Sequence, residues 1–338
     1  MITPPHVSLA ALPTPLQHRP DLGAVLGGKA IWVKRDDLTG YSWGGNKIRT
    51  IEYLIGDAEA QGCDTVVLCG GPTSNFTALM AYACAARGLS VFQVSYGNEP
   101  EVKPVALAAG EAAGAVLHFT GSSDRSTMEE VAAALADRLR AEGRHPYLVP
   151  RGGATVVGAL GYAHAASEVR CQLRQCGIHA VTIVMPVGSG GSIAGLLSGF
   201  LFAFEEDEEA LPLDVDLIGV SVSRPADELR AAIEAKAQAC GAGRARLTSV
   251  DCRWRLVDGR GAGFNHYDAD DAALVDAIMR RSGLLIDTTY NGKALRWLRD
   301  QRLSAARPIL YWHTGGALAV ADWLARPAFP STPHLETT

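Results

Sequence analysis

Lys47 follows Gly44, Gly45 and Asn46 and opens a helical stretch over 48–55. That is the unfavourable end of a helix for a cation, because the N-terminus carries partial positive charge. The placement lowers an ammonium's pKa and suits an amine that must form a Schiff base, although solvation is the commoner fate of any single lysine. A second group is the loop Gly188, Ser189, Gly190, Gly191 and Ser192, between an apolar run and a helical pattern. Its glycines let successive backbone N–H groups turn inward, and the helix N-terminus that follows favours an anion, so the loop would hold a phosphate well. A side chain at Gly190 would enter the space a phosphate needs. The plainer alternative is a tight turn with no ligand. The third group, Thr73, Ser74 and Asn75 ahead of Phe76, can cap a helix or offer the same N–H groups to a carboxylate.

A dinucleotide is the rival ligand for the 188–192 loop, and with it a nicotinamide-dependent oxidoreductase. The spacing Gly188, Gly190, Gly195 does not reproduce G-x-G-x-x-G, and no acidic residue closes the apolar run at 217–222 to hold a ribose. An isolated phosphate fits better.

The elements that must position these groups alternate in type. Short β-branched runs at 31–34, 65–68, 91–94, 147–149, 181–185, 217–220 and 309–311 read as strands. Between them, 75–86, 128–141, 162–175, 193–204, 226–240 and 270–281 carry apolar residues at helical spacing. That order implies an α/β fold with open, mainly parallel sheets flanked by helices. Glycine-rich stretches at 40–46 and 151–161 read as joints. They suggest a small α/β domain over 51–159 inserted into a larger one made of 1–50 and 160–338, with a ligand cleft between them. The acidic run 205–209 reads as a solvated helix end.

With 338 residues, 48% of them hydrophobic, the chain can bury a sizeable core, which excludes disorder and fibrous classes. A net charge of -5 with no basic block removes the footprint of nucleic-acid binding. Seven scattered cysteines do not form a disulfide framework, and no stretch reads as a signal peptide or membrane span, so a cytoplasmic protein without membrane contact is expected. His164, His179 and His266 lack partners at ligand spacing and Cys171 with Cys176 is no C-x-x-C, so no metal site is expected.

Several motifs in one order resemble a single family. They are Lys34-Arg35-Asp36-Asp37, Gly44-Gly45-Asn46-Lys47, Ser74-Asn75, Gly158-Ala159-Leu160-Gly161-Tyr162, Gly219-Val220-Ser221, Tyr290-Asn291-Gly292-Lys293 and His313-Thr314-Gly315-Gly316. From about residue 12 to 324 the chain resembles the D-cysteine desulfhydrase and 1-aminocyclopropane-1-carboxylate (ACC) deaminase family. The resemblance implies a fold-type II enzyme using pyridoxal 5'-phosphate (PLP), generally a homodimer, with the cofactor in the interdomain cleft and a small amino acid as substrate. By that resemblance Lys47, beside Asn46, is the Schiff-base lysine, and Gly188 to Ser192 cup the phosphate. Thr73, Ser74, Asn75 and Phe76 meet the substrate, with Ser74 also catalytic and Asn75 against the ring. Thr314 approaches the pyridine nitrogen, Tyr290 lies over cofactor or substrate, and Asn291 adjoins the ring.

The departures bear on the substrate. ACC deaminases carry Glu, and desulfhydrases generally Thr, where Asn291 stands here, and Asn cannot be the anionic partner of a protonated pyridine. Ala262 replaces a tyrosine near the substrate, unless Phe264 or Tyr267 substitutes for it. Arg151 precedes an altered Gly152-Gly153-Ala154-Thr155, where it could answer a second anionic group or make a salt bridge to a helix end. These features favour elimination of a β-substituent, giving a 2-oxoacid and ammonia, over ring opening, with β-replacement as the nearest rival.

Overall fold

The structure, a computed structural model, describes residues 4–204, 212–261, 263–304 and 307–325. The 205–209 run and Ala262 lie outside the described residues. Ten strands occur among them: β1 Leu16–His18, β2 Ile31–Arg35, β3 Thr65–Cys69, β4 Ser90–Ser95, β5 Val116–Phe119, β6 Pro146–Val149, β7 Ala180–Val187, β8 Leu213–Ser221, β9 Val250–Asp258 and β10 Ile309–His313. They form two sheets, a six-stranded one in the order β1-β2-β10-β7-β8-β9 and a four-stranded one in the order β5-β4-β3-β6. Every pair is parallel except β1 with β2.

Apart from β6, the strands legible in the sequence are the central ones, whose two faces are both covered and which therefore read as continuous apolar runs. β1, β5, β6 and β9 are edges. β9 alternates Asp251, Arg253 and Arg255 with half-buried residues, and Arg253 and Arg255 pair with Asp214 and Asp216 on β8. An edge strand of that kind has no apolar signature and is protected against further pairing by its charges.

The stretch 151–161, read as a joint, is irregular or tightly turned only in its first half. From Val156 it is already helix, running to Gln175, and Thr155 caps it through its side chain. Gly161 and Gly195 are there for close approach. A Cβ on Gly161 would collide with the Arg49 carbonyl, and one on Gly195 with the Ala159 carbonyl. Three helices, Lys47–Ala60, Val156–Gln175 and Gly191–Leu201, thereby pack at short range, fixing the helix that carries Lys47 against the one that follows the 188–190 loop. Among the described residues no helix is long and apolar enough to cross a membrane.

Candidate active site

In parallel sheets the loops after each strand emerge at one edge, so ligands collect there. Here the loops after β2, β3, β7 and β10 meet in one cleft. Its lining includes Asn46, Lys47, Thr73, Ser74, Asn75, Phe76, Gly188 to Ser192, Tyr290 and Thr314. All the residues expected to hold cofactor or substrate are thus brought together, except Ala262, which lies outside the described residues, and Asn291.

Lys47 is the first residue of its helix, and its amine lies 3.3 Å from the Gly152 carbonyl oxygen and 6.0 Å from the centre of the Phe76 ring. No carboxylate pairs with it among the described residues. Burial without a counter-ion pushes its pKa down to about 8. Asn46 anchors this end twice: its N–H donates to the Thr314 carbonyl (3.0 Å) and its side-chain amide to Ser192 Oγ (3.0 Å). Lys47 is thereby tied to both the β7 and β10 loops.

Below the cleft a buried ionic network fixes the same helix. Arg49 donates to Asp36 Oδ1 (2.9 Å) and Oδ2 (3.0 Å) and to Glu168 (2.9 Å). Asp36 also accepts from Thr14, Tyr162 and the Trp312 indole. Burial alone would raise the Asp36 pKa, but the charge and hydrogen bonds of Arg49, with Lys34 and Tyr162, hold it at about 2. Trp312 therefore belongs to this core, whereas Trp43 lines the cleft.

The 188–190 loop turns at Gly190, where φ is +86°. A Cβ there would point at Ile233, 2.8 Å away, and not into the cleft. The expectation that a side chain at Gly190 would fill the anion's space is corrected: the glycine serves the left-handed turn. Gly152 is the glycine facing the loop, since a Cβ on it would fall 2.6 Å from Ser189 Oγ and 3.5 Å from Lys47 Nζ. Gly152→Ala should weaken cofactor binding at least about tenfold, through the intruding methyl. Its φ of +66° should also cost about 1–2 kcal/mol of stability. Unchanged cofactor affinity beside lowered stability in denaturant titrations would show that the methyl does not intrude.

Ser74 caps the helix Asn75–Ala85, accepting from the Thr77 N–H at 3.3 Å, so the capping role is realised while its hydroxyl proton stays available. Asn75 Oδ1 is buried without a protein partner among the described residues. Phe76 is buried under Lys47, and Thr73 Oγ1 lies 3.5 Å from the Asn265 amide. Asp287 accepts from the N–H groups of Thr289 (2.9 Å), Tyr290 (2.5 Å) and Asn291 (3.1 Å), a turn that sets the Tyr290 ring beside Gly188. Phe264, one of the two residues considered as substitutes for the missing tyrosine, meets Tyr290 edge-on at 6.0 Å and lines the cleft. Tyr267 packs in the core instead.

Asn291, expected to adjoin the ring, does not line the cleft. It is fully buried behind the cleft wall. Its Nδ2 donates to Asp287 (2.7 Å) and the Gly315 carbonyl (2.6 Å), and its Oδ1 accepts from Tyr311 (2.8 Å) and lies 3.3 Å from the Thr314 hydroxyl. The physical reason is helical: Asn291 starts the helix after Tyr290, and one residue turns the chain by about 100° from cleft to core. Its amide supports Thr314 from behind. His313 is likewise structural, its ring accepting from the Gly315 N–H at 3.1 Å.

Three guanidiniums, those of Arg125, Arg151 and Arg224, also line the cleft. Arg151 pairs with Glu129 at 2.6 Å, one of the two outcomes considered for it. Arg125 went unread in the sequence, because it lies in an irregular loop before the helix Thr127–Ala141 and has no motif around it. No Asp or Glu lines the cleft among the described residues.

An isolated buried amine facing a glycine loop and helix N-terminus, where two parallel sheets meet, defines a fold-type II PLP-dependent enzyme. The chain belongs to the family described as pyridoxal-phosphate dependent enzymes, whose model matches residues 7–315. The nicotinamide reading falls with that finding. Over 317 residues the chain is 31% identical to a Pyrococcus abyssi protein provisionally named 1-aminocyclopropane-1-carboxylate deaminase, covering 92% of each. It is 32% identical over 336 residues to the D-cysteine desulfhydrase of Salmonella newport, covering 94% of this chain and 95% of that one. A crystal structure described as an ACC deaminase homologue matches with 30% identity and a TM-score of 0.79, covering 93% of both chains. The residues present fit the cofactor: among the described residues the amine has no counter-ion and Asn75 Oδ1 no partner, and the loop and helix start suit a phosphate.

Proposed function

We propose that this chain is a PLP-dependent lyase that eliminates the β-substituent of a small amino acid, releasing a 2-oxoacid and ammonia. Bound PLP supplies an electron sink for the Cα–H bond. In this reading Lys47 holds the cofactor and, once displaced, carries the Cα proton. A pKa of about 8 suits it to accept and return protons near neutrality. Gly188 to Ser192 hold the phosphate, Thr73 to Phe76 receive the substrate carboxylate, Ser74 serves as a second proton carrier and Tyr290 walls the reacting face. The two segments 51–159 and 1–50 with 160–338 are read as the small and large domains, and the working unit as a homodimer.

The observation that carries elimination over ring opening is the lining itself. Thr314 lines the cleft, with its hydroxyl 3.3 Å from Asn291 Oδ1 behind the wall, and among the described residues no carboxylate lines it to keep a pyridine nitrogen protonated. A free carbanion is therefore poorly stabilised, whereas a departing β-substituent removes the charge as it forms. The name of the Pyrococcus relative favours the opposite outcome, so the comparison is direct. Release of pyruvate from β-chloroalanine should exceed release of 2-oxobutyrate from ACC by at least about a hundredfold in kcat/KM, roughly 2.7 kcal/mol of barrier. Equal or faster turnover of ACC overturns the reading.

A further inference from the structure

We infer that the cleft selects a substrate whose β-substituent is itself an oxyanion, a sulfonate or a phosphate ester, and that Arg125 is the residue that recognises it. The inference rests on the elimination reading above and adds the substrate class. It starts from charge. Lys47, Arg125, Arg151 and Arg224 line the cleft, and among the described residues no carboxylate does. Arg151 has Glu129 behind it. Arg224 follows Ser223, whose hydroxyl donates to the Gly188 carbonyl at 2.9 Å, which places it at the phosphate end. Burial, then the charges of Arg151 and Arg125, lower its pKa, so it feels both of the other guanidiniums.

Arg125 is set against aromatic rings. Its guanidinium lies 4.3 Å from the centre of the Phe264 ring and 5.7 Å from that of Tyr96. Phe264 meets Tyr290, and Tyr96 sits against Gly71, which opens the loop leading to Thr73 and Ser74. The guanidinium is therefore held against two aromatic rings that border the Tyr290 side of the cleft and the loop leading to Thr73 and Ser74. Its Nε is buried and has no hydrogen-bond partner among the described residues, and no ion pair to it occurs there. Aromatic walls orient a guanidinium but cannot satisfy its N–H groups. A guanidinium whose buried Nε lacks a partner, in a cleft lined by two others, is matched best by an anion. The α-carboxylate has its place on the Thr73 to Phe76 loop, which leaves the side chain of the substrate as the source of that anion. A planar guanidinium matches a sulfonate or phosphate with paired N–H donors.

The chemistry balances without an added oxidant. The Cα proton passes to the Lys47 amine, and the Cβ–S or Cβ–O bonding pair leaves with the substituent as sulfite or phosphate. The remaining enamine takes up one water, giving a 2-oxoacid and ammonium.

The test uses holoenzyme and two amine-free probes, 3-sulfopropanoate and propanoate, titrated calorimetrically into the wild type, Arg125→Gln and Arg125→Lys, with bound PLP quantified in each. The wild type should bind 3-sulfopropanoate at least about tenfold more tightly than propanoate. Arg125→Gln should abolish most of that preference with PLP content retained, and Arg125→Lys should keep part of it. Equal affinities in the wild type, equal weakening of both probes in Arg125→Gln, or loss of PLP from that variant each overturn the inference. The last two would reassign Arg125 to the α-carboxylate or to the cofactor. Turnover separates this inference from the reading it rests on. Pyruvate from O-phosphoserine or cysteate at a higher kcat/KM than from β-chloroalanine supports both, and the favoured one identifies the oxyanion. Release from β-chloroalanine alone defeats the oxyanion inference and leaves elimination standing. Release from none of the three defeats elimination, while the probe titrations still judge Arg125.

Discussion

Lys47→Ala is expected to fold normally and to lose at least about a thousandfold in turnover, because one change removes both the attachment of the cofactor and the carrier of the Cα proton. Borohydride treatment followed by peptide mass analysis should find reduced PLP on Lys47 in the wild type and on no lysine in the variant. The geometry disfavours the rival lysines of the flanking motifs. Lys34 is buried in the Asp36 network, donating to Thr14 (2.6 Å), Gln172 (2.7 Å) and Glu168. Lys293 donates to the carbonyls of Arg260 (2.6 Å) and Gly263. Modification found on either would refute the assignment. The amine's pKa gives a second check with a definite sign. Only the neutral amine attacks an aldehyde, so capture of PLP by apoenzyme should accelerate as pH rises through about 8 and then level off. At pH 7 about one amine in ten is then free, against roughly 1 in 3,000 for an ordinary lysine at 10.5. A midpoint near 10 would mean that burial does not act on the group as described.

How far such a site can be read from sequence follows from what kind of constraint each residue meets. Lys47, the 188–192 loop and Thr73 to Phe76 are legible because each lies at a strand-to-helix transition, where backbone geometry demands glycines and caps in a short window. The central strands are legible for a similar reason: covered on both faces, they must be continuously apolar. Asn291 shows the limit. Its neighbour Tyr290 lines the cleft, and nothing in the spacing reveals that the next side chain turns inward to Asp287 and Tyr311. Gly158 and Gly161 mislead in the opposite way. Read as a flexible joint, they lie inside a helix, where the missing Cβ admits another backbone. Arg125 carries no local signal at all, because its position depends on Tyr96 and Phe264, far apart in sequence.

Asp36→Asn should be the most damaging change away from the cleft, destabilising the chain by about 3–5 kcal/mol. The substitution keeps the shape and removes the charge that Arg49 faces, in a place where neither side chain meets water. Two of the hydrogen bonds that Asp36 accepts, from Tyr162 and Trp312, join the helix Val156–Gln175 and strand β10 to the same carboxylate. An asparagine must turn its N–H groups either toward Thr14 and Arg49 or toward Arg49, Tyr162 and Trp312, which leaves those donors unsatisfied. The pH dependence has a fixed sign. Asp36 ionises at about 2 in the folded chain and near 3.8 when unfolded. It therefore contributes stability that is complete above about pH 4 and lost as pH falls toward 2, on the order of 2 kcal/mol from this group. Denaturant titrations at pH 7 and at several values below 4 should show the wild type losing that increment and Asp36→Asn lacking it. The consequence reaches the chemistry through Arg49, which stands two residues after Lys47 on the same helix. Loosening the network should lower cofactor retention as well as stability. A variant that is destabilised by less than about 1 kcal/mol would show that glycine-mediated helix packing, and not the ionic network, holds Lys47 in place.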